Sequence, residues 1–490
     1  MWNRILHRRD ALKVGSVTAA ATVAPWATAS LQRATQAAQN AANAKAGASA
    51  SSPLPPTADS VIFLNMMGGV THHESFDPKP DAPEDVRGTL SPIATSLPGV
   101  HFAEVCPNLA KIAHKFALVR SYSHTNNDHF MSQAYALSGR PVSLAAIQKE
   151  PNIGSIVSYL QGPRNNLPGY IAVPGFTRPG PPPTDLFVGG WLGRENAPFC
   201  AAREPAEPDF TKGPLYAEPN ATIDEQLEPA AIDLPKELNY DRLAARAELR
   251  TLLEGKLRGL EQDRAAQEVA YVDMDAHYRN AFRMLASTQV RTAFDIAGES
   301  AATRAAYGRT KIGGRCLMAR RLVEAGARFV MVDYGYDPDY GNLWDNHNAV
   351  SQNHPVLCEM AKRPYHVAGM DRAFAALLND LDERGLLART LVVFVTEFGR
   401  TPRINKNGGR DHWGPAGSIF FAGGGTKPGA VIGATDRNGA YPTSEANTPG
   451  DVAATIYRAL GIDPMQRLLD RENRPHFVLP EGRVIPGLFA

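Results

Sequence analysis

Short, unbroken apolar runs recur along the chain, at 60–67, 116–121, 170–173, 328–333, 391–395 and 418–422. Runs of this length that are rich in β-branched residues are typical of strands buried on both faces of a parallel sheet. Segments with helical periodicity separate them, at 107–114, 131–137, 151–160, 311–325, 371–384 and 452–460. This alternation predicts an α/β fold, in which helices cover both faces of a mostly parallel central sheet.

The N-terminal residues have a different composition. Arg8 and Arg9 precede a mildly apolar stretch at 14–26 and an Ala-Thr-Ala sequence at 27–29, which is the order of a signal peptide. The paired arginines predict a twin-arginine-type signal peptide over 1–29, recognised by the twin-arginine export machinery, and a periplasmic or secreted protein. An uncleaved membrane anchor is disfavoured because the stretch is too short and too weakly apolar to span a bilayer.

The remaining chain is predicted to form one large domain. Residues 30–58 are rich in Ala, Ser and Pro and predict a flexible linker. The domain is predicted over 59–490, with an irregular and helical excursion at about 175–310. No other segment is apolar and long enough to predict a membrane span in the mature chain.

The net charge and the cysteine spacing bear on the partners and the disulfide bonds of the protein. The formal net charge is +1 over 490 residues, so no global field indicates a nucleic-acid partner. The four cysteines (Cys106, Cys200, Cys316 and Cys358) show no CxxC spacing. One or two disulfides and buried free thiols are both compatible with this pattern.

Four predicted strands are followed by clusters of polar residues. Because ligands bind beyond the carboxyl ends of strands in open α/β sheets, these clusters are expected to converge. Carboxylates and imidazoles are ligands of divalent cations, so the sheet edge is a candidate site for one or two ions, among them zinc, calcium, magnesium or manganese. The clusters are Thr71/His72/Glu74/Asp77, His124/Asp128/His129, Asp345/His347, and Glu397/Arg400 with Asp411/His412.

The motifs around these residues resemble the domain-of-unknown-function 1501 family, whose members are similar to sulfatases. The resemblance runs from about residue 61 to 464. It is carried by GGVTHHESFDPKPDAP, FALVRSYSHTNNDH, GRCLMARRLVEAGARFVMV, WDNH, TEFGRTPRINKNGGRDHW and VIGATDRNGA. It implies an alkaline-phosphatase-like α/β sandwich with metal at the strand ends. The implied metal ligands are Asp345, His347, Glu397, Asp411 and His412, with His129 and Asp77 as further candidates.

The resemblance also implies a reaction, the metal-dependent hydrolysis of a sulfate or phosphate ester of a small molecule or a polysaccharide. It places Thr71 near the position of the nucleophile or of the first metal-binding loop, and Arg400 is suited to neutralise the anionic ester. His124 or His129 is placed to protonate the leaving group.

Three departures support alternatives. Phe398 follows Glu397 where related hydrolases have histidine, the first loop lacks the sulfatase cysteine, and Thr71 and Glu74 replace the family's usual Ser and Asp. A binding or structural protein with an eroded site, and a carbohydrate-binding protein that needs no cofactor, are the other two hypotheses.

Overall fold

The computed structural model describes residues 55–175, 186, 188–201, 284–285, 287–337, 340–348 and 354–489. Residues 52–490 belong to one compact unit. The strands are β1 (Ser60–Asn65), β2 (Pro92–Ala94), β3 (His101–Ala103), β4 (Phe116–Tyr122), β5 (Tyr170–Val173), β6 (Phe199–Cys200), β7 (Phe329–Asp333), β8 (Tyr336–Asp337), β9 (Gly341–Asn342), β10 (Thr390–Val395), β11 (Gly399–Arg400), β12 (His412–Trp413), β13 (Gly417–Ala422), β14 (Val431–Ile432), β15 (Arg467–Leu469) and β16 (Pro475–Phe477).

The central sheet has eight strands in the order β14-β4-β13-β10-β1-β7-β5-β6. β1 pairs in parallel with β7 and β10, whereas β13 is antiparallel to both of its neighbours, β10 and β4. Two antiparallel steps restore the original direction, so β4 runs the same way as β10. The carboxyl ends of β1, β4, β7 and β10 therefore lie along one edge, and the amino end of β13 lies there too.

Helices cover both faces of this sheet. They are α1 (Glu84–Arg87), α2 (Pro107–Lys111), α3 (His129–Ser138), α4 (Ile153–Gln161), α5 (Thr288–Phe294), α6 (Ala301–Tyr307), α7 (Lys311–Glu324), α8 (Leu357–Ala361), α9 (Val367–Glu383) and α10 (Pro449–Ala459). Alternate residues of a strand point to opposite faces. Accordingly, Ile62 of β1 belongs to the core that includes α7 and α9, and Phe63 to the core that includes α4 and α10.

The prediction of a mostly parallel sheet with helices on both faces is confirmed. Each of the six apolar runs forms a central strand, although the first ends at Asn65 rather than at 67. The helix predicted from 371 begins earlier, at Val367. Residues 1–29, most of the 30–58 linker and most of the 175–310 excursion lie outside the described residues, so the domain boundaries stay predictions.

Two further observations bear on the expectations from composition. Cys106, Cys316 and Cys358 are buried free thiols. Among the described residues, none of the helices has the length and apolar character needed to cross a bilayer.

Asp371, in α9, holds the start of α2. Its buried carboxylate accepts hydrogen bonds of 2.7–3.0 Å from the backbone N–H groups of Asn108 and Leu109 and from Asn108 Nδ2. Burial nevertheless raises the pKa of Asp371 to about 6. An unfolded-state aspartate has a pKa of about 3.9, so the folded state binds this proton more tightly. Its stabilising contribution is therefore complete below about pH 3.9 and is lost as the pH rises through about 6.

We expect Asp371→Asn to remove this pH dependence. Between about pH 4.5 and 7, the difference in unfolding free energy between the wild type and the variant should change by about 2 kcal/mol, with the wild type relatively more stable at the acidic end. Urea unfolding at both pH values measures this. Asp382→Asn, on the same helix with a half-exposed side chain, is the control. A wild-type-to-variant difference that is the same at both pH values would refute the argument.

Candidate metal centre

Four separate segments bring titratable side chains to the carboxyl edge of the sheet. His129 is the first residue of α3, a few residues after β4, and Glu397 follows β10. Asp345 and His347 lie in the loop after β9. His412 returns to the same edge because Arg400 of β11 pairs with it in β12, which folds the intervening loop back on itself.

The carboxylate of Asp345 is the centre of a cluster of imidazoles. Its Oδ1 atom lies 3.0 Å from Nε2 of His347 and 3.0 Å from Nε2 of His412. Its Oδ2 atom lies 3.3 Å from Nε2 of His129. Ligand atoms of His129, Asp345 and His412 all lie within 4.8 Å of one another, and Nε2 of His347 is 2.8 Å from Nε2 of His412. These four residues form what we call the imidazole cluster.

An oxygen acceptor lies behind each imidazole. Nδ1 of His129 is 2.5 Å from Glu397 Oε1, Nδ1 of His347 is 2.7 Å from Asp411 Oδ1, and Nδ1 of His412 is 2.8 Å from the backbone oxygen of Asn127. Such partners fix the ring orientation and hold the proton on Nδ1, which leaves Nε2 available as a ligand.

The electrostatics of the cluster favour positive charge. Burial raises the pKa of Asp345, but hydrogen bonds from the three imidazoles and the charge of Arg400 outweigh it and hold that pKa well below its ordinary value. Burial lowers the pKa of His129, whereas Glu397 and Asp345 raise it to about 10. Without an ion, His129 is therefore an imidazolium between two carboxylates.

The pKa values of His347 and His412 shift in opposite directions. The hydrogen bond to Asp345 raises the pKa of His347, whereas burial lowers the pKa of His412. The side chains of His347 and His412 are 28% and 20% exposed, against 14% for His129, so the cluster opens to solvent on the side of His347.

Arg400, predicted to face an anionic ester, is buried in the structure. Its guanidinium donates to the backbone oxygens of Gly68, Gly69, Trp344 and Arg410 and to Asp345 Oδ1 at 2.8 Å. All three of its nitrogens therefore have protein acceptors. In this arrangement Arg400 joins the first loop to the Asp345 loop and orients the central carboxylate.

Thr71, predicted to lie near the nucleophile position, is buried beside a different pair of charges. Its Oγ1 atom donates to Glu74 Oε2 at 2.5 Å. Glu74 in turn accepts from Nη2 of the fully buried Arg410 at 2.5 Å. Asp77 pairs with Lys79 and Arg120. The side chains of Thr71, Glu74 and Asp77 thus take part in hydrogen bonds and ion pairs of the first loop.

His124, the other predicted proton donor, has both ring nitrogens engaged. Nε2 is 2.5 Å from the backbone oxygen of Glu397, and Nδ1 accepts the backbone N–H of Asn126 at 3.2 Å. Burial lowers the pKa of His124, which keeps the ring neutral. Its role in this geometry is to fix the Glu397 backbone.

The structure thus brings some of the residues predicted from sequence into the cluster and places others around it. Asp345, His347 and His412, predicted as metal ligands, meet directly, and His129, predicted first as a proton donor, joins them. Glu397 and Asp411 lie behind imidazoles. The part played by the Asn127 carbonyl is not predictable from the sequence, because a backbone oxygen is present in every residue type. Arg410 belongs to the GRDHW motif, but the sequence does not show that its side chain is buried.

Phe398, the residue that follows Glu397, packs on the cluster. Its ring centroid lies 4.6 Å from that of His412 and 5.4 Å from that of His129. The residue therefore contributes apolar shielding to one side of the imidazoles, where it restricts access of water.

The residues present fit a divalent cation. Three imidazole nitrogens and one carboxylate are a donor set that such ions use, and their separations are close to those of ligand atoms that bond one ion at about 2 Å. In addition, Glu397 Oε2 is buried and has no hydrogen-bond partner among the described residues.

The sequence matches the family described as "Protein of unknown function (DUF1501)" over residues 58–489. The chain belongs to this family, as its motifs predict. No curated protein sequence matches the chain.

Fifty chains of solved structures match its fold. Ps i-CgsB is 12% identical with a TM-score of 0.37, covering 88% of this chain and 76% of its own. The phosphonate monoester hydrolase SpPMH from Silicibacter pomeroyi is 12% identical with a TM-score of 0.36, covering 87% and 76%. The PsFucS1 sulfatase from Pseudoalteromonas sp. is 13% identical with a TM-score of 0.33, covering 83% and 68%.

Proposed function

We propose that the protein is an exported, metal-dependent hydrolase of sulfate or phosphate esters, on small molecules or polysaccharides. The observation that carries this proposal is the convergence of three imidazole Nε2 atoms on the carboxylate of Asp345 at the solvent-open edge of the sheet. Export rests on the sequence of residues 1–29 alone.

Asp345, His129, His347 and His412 would hold the ion. A bound divalent cation polarises the ester oxygen and lowers the pKa of a water molecule, which are the two demands of ester hydrolysis at neutral pH. Because the guanidinium of Arg400 already donates to protein acceptors, the bound ion is the group proposed here to meet the negative charge of the ester.

The surrounding residues orient the three histidine rings and shield them from water. Glu397, Asp411 and the Asn127 carbonyl hold the three rings, and Phe398 excludes water from one side. The solvent side, next to His347 and the 56% exposed side chain of Asp411, is where a substrate can approach.

One observation favours a second candidate, a metal-dependent binding protein. The hydroxyl of Thr71 is buried and already donates to Glu74, so this structure presents no free side-chain nucleophile at that position. Hydrolysis would then require water as the nucleophile, whereas ligand binding requires none.

The two candidates are separated by an activity assay of the purified chain. We expect release of p-nitrophenol from an aryl sulfate or an aryl phosphate, loss of this release on treatment with a chelator, and recovery on return of metal. The metal content is measured on the same samples. A chain that holds about one ion and turns over neither ester would contradict the hydrolase and support the binding protein.

A further inference from the structure

The donor atoms of the imidazole cluster indicate which kind of ion it can bind. Asp411 Oδ1 and the Asn127 carbonyl oxygen can only accept hydrogen bonds from the rings of His347 and His412. When a cation displaces the Nε2 proton of such a ring, the ring keeps its proton on Nδ1 and directs a lone pair from Nε2 into the cluster.

These two lone pairs face each other. The Nε2 atoms of His347 and His412 are 2.8 Å apart, a distance at which two unprotonated nitrogens repel unless a positive centre lies next to both. Nε2 of His129 approaches the same carboxylate from its other oxygen, at 3.3 Å. A shared proton or a metal ion can supply this positive centre, and the geometry offers mostly nitrogen to a metal ion.

Few oxygens approach the three Nε2 atoms directly. Glu397 Oε1 and Asp411 Oδ1 accept from imidazole Nδ1 atoms, and Asp345 is the carboxylate that lies within 3.3 Å of all three Nε2 atoms in the part of the chain that the structure describes. Calcium requires six to eight oxygen ligands, and magnesium is bound through carboxylates and water. Imidazole suits the borderline transition metals, with zinc as the commonest four-coordinate case.

We propose that this centre takes a transition-metal dication of the zinc class, bound by Nε2 of His129, His347 and His412 and by Asp345, and that it discriminates against magnesium and calcium. The proposal deepens the proposed function and rests on its metal dependence. The sequence alone left zinc, calcium, magnesium and manganese open. The donor atoms that the fold brings together separate zinc from calcium and magnesium.

The test is metal binding by the full chain, independent of turnover. Chelator-stripped protein is titrated calorimetrically with Zn²⁺, Co²⁺, Mg²⁺ and Ca²⁺, and bound metal is counted after dialysis. We expect about one zinc per chain, with magnesium and calcium at least about 100-fold weaker. In the cobalt-loaded protein, the visible absorption should report nitrogen-rich coordination.

Variants assign the ligands. His129→Ala and His412→Ala should each weaken zinc binding by more than about 100-fold, because even loss of an outer partner costs 10- to 100-fold. His114→Ala removes an exposed histidine as a control and should leave the affinity unchanged. If an alanine variant fails to fold, His129→Gln replaces it, and the metal panel on the wild type stands without either.

Several results would overturn the assignment. They are calcium or magnesium binding as tightly as zinc, wild-type zinc affinity in His129→Ala, and absence of zinc binding in the folded chain. Zinc-selective binding without ester turnover would refute the hydrolase and leave the metal assignment intact. Ester turnover that needs calcium or magnesium would do the reverse.

Discussion

Asp345→Asn is expected to lower kcat/KM for chelator-sensitive ester hydrolysis by more than about 100-fold. Among the described residues, Asp345 is the carboxylate that contacts all three imidazoles, and its Oδ1 atom also accepts from Arg400 at 2.8 Å. Asparagine keeps the shape of the side chain but removes the negative charge that attracts a cation. The loss should therefore appear in metal content as well as in rate.

Two matched variants calibrate this effect. Asp411→Asn changes a carboxylate that contacts Nδ1 of His347, on the side of the ring away from Asp345, so a 10- to 100-fold loss is expected. Asp382→Asn changes a surface carboxylate paired with Lys115 and should leave the rate unchanged. Full activity in a folded Asp345→Asn variant would place the reaction elsewhere in the molecule.

Arg410→Met is expected to destabilise the protein by about 3–5 kcal/mol, because truncating one partner leaves the other charge buried and unpaired. The side chains of Arg410 and Glu74 are 0% and 1% exposed. Arg410 also donates to the backbone oxygens of Val86, Thr401 and Pro402. The pair therefore joins the loop after β1 to the loop between β11 and β12.

Urea unfolding measures this loss. Arg403→Ala is the control, because this arginine lies in the same loop with a 77% exposed side chain, and its pair with Asp85 should contribute less than about 1 kcal/mol. The double variant Glu74→Leu/Arg410→Met removes both charges and should recover a large part of the lost stability. An Arg410→Met cost no larger than that of Arg403→Ala would contradict the argument.

The fold was largely predictable because it depends on local periodicity. The apolar run at 391–395 and the helical pattern at 311–325 appear as β10 and α7 with at most one residue of difference at either end. Such patterns report which faces of an element are buried, and this is the information that determines layers. Helix starts were less predictable: α9 begins with Val367, before the residue from which its periodicity was apparent.

The candidate site was predictable only in part, since its residues are brought together by distant pairings. The sequence indicates that Asp345, His347 and His412 belong to polar clusters after strands, but not which ring nitrogen faces inward. It also gives no sign that Arg400 is buried, because exposed and buried arginines look the same in one sequence. Both properties follow from the β11–β12 pairing, which contains Arg400 and His412.

The two edge strands of the central sheet affect how readily the chain could associate with copies of itself. The two outermost strands of the described sheet, β14 and β6, contain two residues each, whereas β4 in the interior contains seven. An edge strand offers unpaired N–H and C=O groups to other chains, and natural proteins limit this hazard by keeping edges short. Intermolecular strand addition to β14 or β6 would therefore gain few hydrogen bonds, and this brevity protects the sheet against amyloid-like growth.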